Sequence, residues 1–427
     1  MSVCYFDDKY DEKYDCQYEV KKDGIEVVVN YDIDEEIPAI NGVRTFGSNT
    51  EFKKRDILII DQQTKMNYLL KLAHYCGHSE VFGTPDGGYK TRFFSRYYFF
   101  NKDYEKLCDL SNNNNIKTIR VYSHIINEII GYPSLYKEKN ENEYIIKLKK
   151  DTIKEEVEIN KNNIKSLVIS DDWTSEHIYE NNQINIKLNG YIELKADKLI
   201  NYDDVYNYVM ELMIYLQLLK PNKLLINKIT VKIDDNYYGL MVPIEELKYK
   251  SSHIENSVED NLSKFLLKCY HSIPYRNSKN EIRNIPYIIL NTSRNIEDNF
   301  LMFYRFIECY YKQQPIENIK TTFLEYSIKN NYKKIDKSDE EKIENLVYEI
   351  VSLRNHYVHE GYYIKNKKLY IAFPKIKGKV NPKSHIEENV NVEWIYYRTK
   401  ILYEIVIDII FRNMLNYENY KFNKHFS

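Results

Sequence analysis

Three things that would settle a class of function at once are missing from this chain of 427 residues. There is no charge excess. Lys and Arg number 61 against 63 Asp and Glu, a net charge of −2, so no global field draws in nucleic acid and any such contact needs a local patch. There is no long uninterrupted apolar run. The most apolar stretch, Ile395 to Leu415, is broken by Arg398, Lys400, Glu404, Asp408 and Arg412, charges that a bilayer core penalises, so it is expected to be an amphipathic helix without a membrane role. The opening Met1 to Asp15 is acidic, with no basic region leading into an apolar one, and no secretory leader is expected. Nor is there a CxxC pair. Cys4, Cys16, Cys76, Cys108, Cys269 and Cys309 are scattered, which suits reduced thiols in a cytoplasmic protein.

What is present is a core-forming chain, 43% hydrophobic, with 42 tyrosines. Its length suggests two or three units. Residues 1–250 read as a β-rich mixed region that acts as sensor or platform. Ile25 to Tyr31, Asp56 to Asp61, Ile184 to Lys195 (turning at Asn189-Gly190) and Leu224 to Val242 are strand-like, with a helix over Asp203 to Leu219. Met66 to Tyr75 is read as a helix. Residues 251–294 hold a leading helix (Asp260 to Tyr270) and a polar linker from Pro274 to Pro286. Residues 295–427 read as a helical bundle. Phe300, Phe303, Tyr304, Ile307 and Tyr311 form one stripe over Ile296 to Lys312, with Glu308 beside it. A shorter helix covers about Ile319 to Ile328. Ser338-Asp339-Glu340-Glu341 fits a capping box for a helix whose apolar face is Ile343, Leu346, Val347, Ile350, Leu353 and Tyr357. A hairpin turning at Asn366 to Lys368 and a closing helix from Val392 to Leu415 follow. The fold class is therefore α+β, a β-rich region followed by an all-α bundle.

Several constellations invite chemistry. His74, Cys76 and His78, with Cys108, are zinc-type ligands, but alternate spacing is not a standard zinc pattern and a structural cluster is the preferred reading. Arg92 to Phe100 interleaves two arginines with aromatics that can stack bases; a buried aromatic strand is preferred. Phe46-Gly47-Ser48 before the acidic strand Asp56 to Asp61 resembles the minimal nucleotidyltransferases. Their metal needs two carboxylates one residue apart, and here Leu58 occupies the second position.

The stretch Leu353-Arg354-Asn355-His356-Tyr357-Val358-His359-Glu360-Gly361 carries the strongest case. An arginine supplies permanent positive charge and bidentate contact to phosphate, a histidine titrates near neutral pH, and an amide one turn before His359 can orient it or the substrate. As a bare pattern, Arg followed four to six residues later by His arises about once by chance in such a composition. A helix C-terminus also favours cations for reasons of dipole alone. Context carries the case: the pattern closes a capped amphipathic helix, Glu360-Gly361 follows at once, and an aromatic stripe running into Glu308 lies upstream. Arg354 and His359 point about 140° apart on a regular helix, which suits a site shared between two chains.

Leu353-Arg354-Asn355-x-x-x-His359-x-Gly361 in a C-terminal helical bundle resembles the HEPN ribonucleases. The wider arrangement, a β-rich half before the bundle and a hairpin after the motif, resembles the ApeA-type anti-phage defence proteins. That resemblance implies a metal-independent endoribonuclease acting in anti-phage defence or abortive infection, with no cofactor and no metal. Arg354, Asn355 and His359 would be catalytic, with Glu308 and His356 as supporting candidates and Glu349 read as a solvated helix charge. RNA is the implied partner, the bundle the implied homodimer contact, and a phage-derived or nucleotide signal the trigger. A non-catalytic RNA- or protein-binding module that dimerises through the bundle is the alternative.

Overall fold

The computed structural model describes residues 2–6, 9–21, 23–30, 54–81, 88–110, 115–123, 125–127, 135–140, 143–148, 155–178, 183–220, 226–242, 256–258, 260–273, 295–312, 320–331, 337–361, 364, 367–372, 384–387, 389–418 and 421–422. The architecture is mixed α and β, with a barrel-containing sheet in the N-terminal part and several helices later. The chain divides into two compact units, residues 1–212 with 224–246, and 213–223 with 247–427.

In the first unit, β1 (Ser2–Phe6), β2 (Lys9–Lys21), β3 (Gly24–Asn30), β4 (Arg55–Asp61), β5 (Asn67–Val81) and β6 (Gly88–Ser95) close into an antiparallel ring. The order runs β5-β4-β1-β2-β3-β6, and β6 returns to β5. Alternation explains the inward set: Ile25, Val27 and Val29 of β3 are fully buried while Asn30 is exposed. With Cys4, Phe6, Ile57, Ile59, Leu70 and Phe93 they form one core, so the barrel is filled by side chains. Each buried aliphatic side chain contributes roughly 1.5–3 kcal/mol.

Beyond the barrel the same sheet continues through β7 (Tyr97–Asn101), β15 (Asn236–Met241), β14 (Ile226–Ile233), β8 (Ile116–Ser123), β13 (Gln183–Ile200), β12 (Ile164–Ile178) and β11 (Glu155–Lys161). Among the described residues the helices α1 (Tyr104–Asp109) and α2 (Val205–Leu219) interrupt these strands in sequence. β5 makes the branch possible. Asn67 to Lys71 pair with β7, and His74 to Val81 pair with β6. Between them Leu72 takes φ +50° and the β4 register slips between Arg55 and Ile57. A left-handed leucine costs about 1–2 kcal/mol, and buried polar groups hold it. The Leu72 amide donates to Asp56 Oδ1 at 2.9 Å, Lys71 pairs with Asp56, and Ser95 donates to the Lys71 carbonyl at 2.6 Å.

Two readings of this region are corrected. Met66 to Tyr75 is not a helix: from Asn67 on it is the strand β5, because short apolar runs suit either element and here they line the barrel wall. Asn189-Gly190 is not a turn; it lies inside β13 opposite Asp172 and Asp171, and the Gly190 amide donates to Asn127 Oδ1 at 2.6 Å. The strand at Ile25, the strand at Asp56 to Asp61 and the helix before Leu219 are found where expected. Phe46-Gly47-Ser48 and the linker from Pro274 to Pro286 lie outside the described residues.

The second unit contains α3 (Leu262–Ser272), α4 (Ile296–Lys312), α5 (Lys320–Asn331), α6 (Lys337–His359) and α7 (Val392–Asp408), which runs into a wider π-helical turn over Ile409–Met414. Phe300, Phe303, Tyr304, Ile307 and Tyr311 of α4 are buried, as are Ile343, Val347, Ile350, Leu353 and Tyr357 of α6. α4 packs on α7, α5 on α6, and α6 on a hairpin strand. That hairpin joins β17 (Leu369–Ala372) to β18 (Ser384–Glu387). The expected hairpin from Tyr362 to Phe373, turning at Asn366 to Lys368, lies partly outside the described residues; within it Lys367 takes φ +53° just before β17. No helix among the described residues is long and apolar enough to cross a membrane.

Candidate active site

The last two turns of α6 are anchored by Leu353 and Tyr357, both buried. The Glu360 amide still makes the helical bond to the His356 carbonyl at 2.8 Å, and the helix stops where Gly361 follows at φ +90°, a conformation that favours glycine. Between the anchors Arg354 is half-buried and Asn355 exposed, and His359 beyond them is exposed.

Arg354 leans towards α4. Its guanidinium carbon lies 5.8 Å from the centroid of the Tyr304 ring, within cation–π range. Phe300 stacks on Tyr304 at 6.4 Å and meets Tyr357 edge-on at 5.6 Å. An aromatic seam thus runs between the two helices up to the arginine. Glu308, one turn beyond Tyr304, flanks the same ring. Burial pushes the Tyr304 phenol up, the Glu308 carboxylate adds to that, and the Arg354 charge opposes it.

The expected residues separate into two groups. Arg354 and Asn355 are joined, since Arg354 Nη1 donates to Asn355 Oδ1 at 3.0 Å. The amide therefore steadies the arginine rather than the imidazole one turn on. His359 makes no described hydrogen bond or ion pair with either of them within one chain, and its ring faces out. His356 is a different kind of histidine. Its side chain is 12% exposed and its Nδ1 sits 3.3 Å from Glu360 Oε2, closing the helix end.

Glu349 departs from its reading as a solvated charge. It accepts from Arg398 of α7 at 3.0 and 2.6 Å, with both side chains mostly buried. It clamps α7 to α6 and does not serve Arg354. The residue that sequence reasoning left in the core stripe without a role is Tyr304. Its signal was present: Tyr304 stands one turn after Phe300 and one turn before Glu308 on the face that meets α6.

The other constellations are structural in their described parts. Asp56 is committed to Lys71 and the Leu72 amide. Asp61 accepts from Tyr18 at 2.7 Å, Thr64 at 2.5 Å and the Gln63 amide at 2.9 Å. Burial pushes its carboxyl up, but these donors outweigh that and bring it down to about 2. His74 packs edge-on against Phe94 at 5.6 Å, and the Cys76 thiol reaches the His74 carbonyl at 3.6 Å. Among the described residues no group of three His, Cys, Asp or Glu side chains is placed to hold a metal. Arg92 and Arg96 are exposed, whereas Phe93, Tyr98 and Phe99 are buried, as in an aromatic strand with its charges turned outward.

Neither a protein-family model nor a curated protein nor a solved structure aligns with this chain. What α6 and α4 arrange is a fixed cation on an aromatic and acidic seam, an amide tied to it, and an accessible imidazole at the helix end. Such residue types can bind an anionic oxygen and transfer a proton.

Proposed function

We propose that this protein is a metal-independent endoribonuclease of the HEPN type, with Arg354, Asn355 and His359 at its site and the second unit as an all-α bundle of that kind apart from its hairpin. One observation carries the reading: Arg354 is held in place by Tyr304 and Asn355 while His359 stays accessible at the end of the same helix. Attack of a 2′-hydroxyl on its neighbouring phosphodiester requires a group that takes or gives a proton and positive charge near the phosphate oxygens. His359 suits the first task and Arg354 the second. The reaction gives a 2′,3′-cyclic phosphate and a 5′-hydroxyl, with the proton passing from the 2′-oxygen to the leaving 5′-oxygen.

The separation of His359 from Arg354 on α6 favours a site completed by a second copy of the chain. Val358, Tyr370, Ile386, Val392, Tyr396 and Tyr397 are large apolar side chains left about half or more exposed, and they come from the end of α6, the hairpin and the start of α7. Exposed apolar surface of this kind suits a partner protein, and a homodimer through this face brings two motifs together. The protein then acts in the cytoplasm against phage, held inactive until a phage-derived or nucleotide signal reaches the β-rich unit.

The test is cleavage of RNA by the purified protein in excess chelator, compared with Arg354→Ala and His359→Ala. Cleavage by the wild type with loss of about 100-fold or more in each variant is expected, since proton transfer alone typically supplies 10²–10⁴-fold. Equal cleavage by all three overturns the assignment. Wild-type biological effect retained in both variants would favour a non-catalytic binding module instead.

A further inference from the structure

We propose that Tyr304 is a positioning residue whose ring seats the Arg354 guanidinium, an inference that rests on the ribonuclease reading only for its effect on rate. A flexible arginine at a helix end samples many rotamers, and each must be given up before it meets a phosphate. Here that freedom is restricted in advance. The guanidinium carbon is 5.8 Å from the ring centroid, and Nη1 is tied to Asn355 at 3.0 Å. The ring itself is fixed, being only 4% exposed and stacked on Phe300, which in turn meets Tyr357 of α6. Arg354 therefore rests on a surface built from both helices.

The hydroxyl does not explain the residue. It is buried and has no hydrogen-bond partner among the described residues, whereas buried phenols ordinarily find one. Its neighbours are instead two opposite charges, Glu308 and Arg354. The ring face is thus what the site uses, and phenylalanine is the conservative substitute that keeps it.

The experiment follows the arginine directly and the reaction separately. In protein labelled with ¹⁵N-arginine, the Nε–H resonance of Arg354 is assigned by its loss in Arg354→Lys. In the wild type this proton is expected upfield of an unstructured arginine through the ring current of Tyr304. Tyr304→Phe should keep that shift, and Tyr304→Met should abolish it. In RNA cleavage, Tyr304→Phe should stay within about twofold of wild type, while Tyr304→Met should lose about 10- to 100-fold in kcat with a smaller change in KM, the scale expected for a misplaced group. In an Arg354→Lys background the methionine should cost little more, because the group it misplaces is gone. An unstructured shift in the wild type, or one unchanged in Tyr304→Met, overturns the seat whatever the RNA does. A ring-shifted arginine in a protein that cleaves no RNA leaves the seat standing and removes the ribonuclease reading. The wild-type shift decides the matter even where the methionine variant fails to fold.

Discussion

Arg398→Ala should destabilise the helical unit by about 3 kcal/mol, the lower edge of what removing one partner of a buried ion pair costs. The magnitude follows from what the side chain does. Arg398 donates twice to one Glu349 oxygen, at 3.0 and 2.6 Å, donates to the Trp394 carbonyl at 3.2 Å, and lies 3.7 Å over the Trp394 ring. The paired side chains are 14% and 16% exposed, so truncation leaves Glu349 largely desolvated without its counterion. Slight water access to both groups keeps the cost from the upper end of the range. For a unit of this size the loss lowers Tm by roughly 6–12 °C. The chain has only two tryptophans, so a Trp173→Phe background lets Trp394 report urea unfolding from beside the lost guanidinium. Replacing both partners, Arg398→Met with Glu349→Leu, should recover most of the stability, because an apolar pair of similar volume avoids the stranded charge. A loss under about 1 kcal/mol in the alanine variant, the figure for a surface pair, would refute the clamp.

Two further outcomes are expected. Asp61 sits at about 2 in the folded barrel against an ordinary carboxyl near 4 in the unfolded chain, so its contribution is present above the unfolded value and is lost as pH falls through 4 towards 2; Asp61→Asn should flatten that part of an acid-unfolding curve followed by circular dichroism, and an unchanged curve contradicts the hydrogen-bonded carboxylate. Gly361→Ala meets no atom within 4 Å of its added Cβ but keeps φ +90°, so conformation alone should cost about 1–2 kcal/mol, read by thermal unfolding; no measurable cost would mean that the helix end relaxes.

Some of this was legible in the sequence for a physical reason. Helices of the second unit repeat their apolar residues over several turns, and α4 begins and ends at the residues its stripe indicated, Ile296 and Lys312. Periodicity survives there because each helix buries one face. It fails in β5, where Leu69, Leu70 and Ala73 satisfy a helical spacing as well as a strand that bends at Leu72. Closure of the barrel was hidden for the same reason, since it depends on one strand changing partners and not on any local pattern. Within the candidate site, Arg354, Asn355 and His359 are found at the end of α6 as the motif suggested. What the linear pattern does not contain is which neighbour each side chain chooses. Glu349 turns to α7, His356 to Glu360, and Asn355 to the arginine beside it.

The closed ring has a consequence for how this sheet meets other chains. A sheet of 13 strands ordinarily offers two margins where a foreign strand can add. Here β6 returns to β5, so one margin does not exist. Among the described strands of the sheet only β11 has a single neighbour. Its sequence, Glu155-Glu156-Val157-Glu158-Ile159-Asn160-Lys161, sets Glu156 and Glu158 in solvent. A long sheet rich in aromatic and β-branched residues is thereby left with one growing end, and carboxylates stand guard over it.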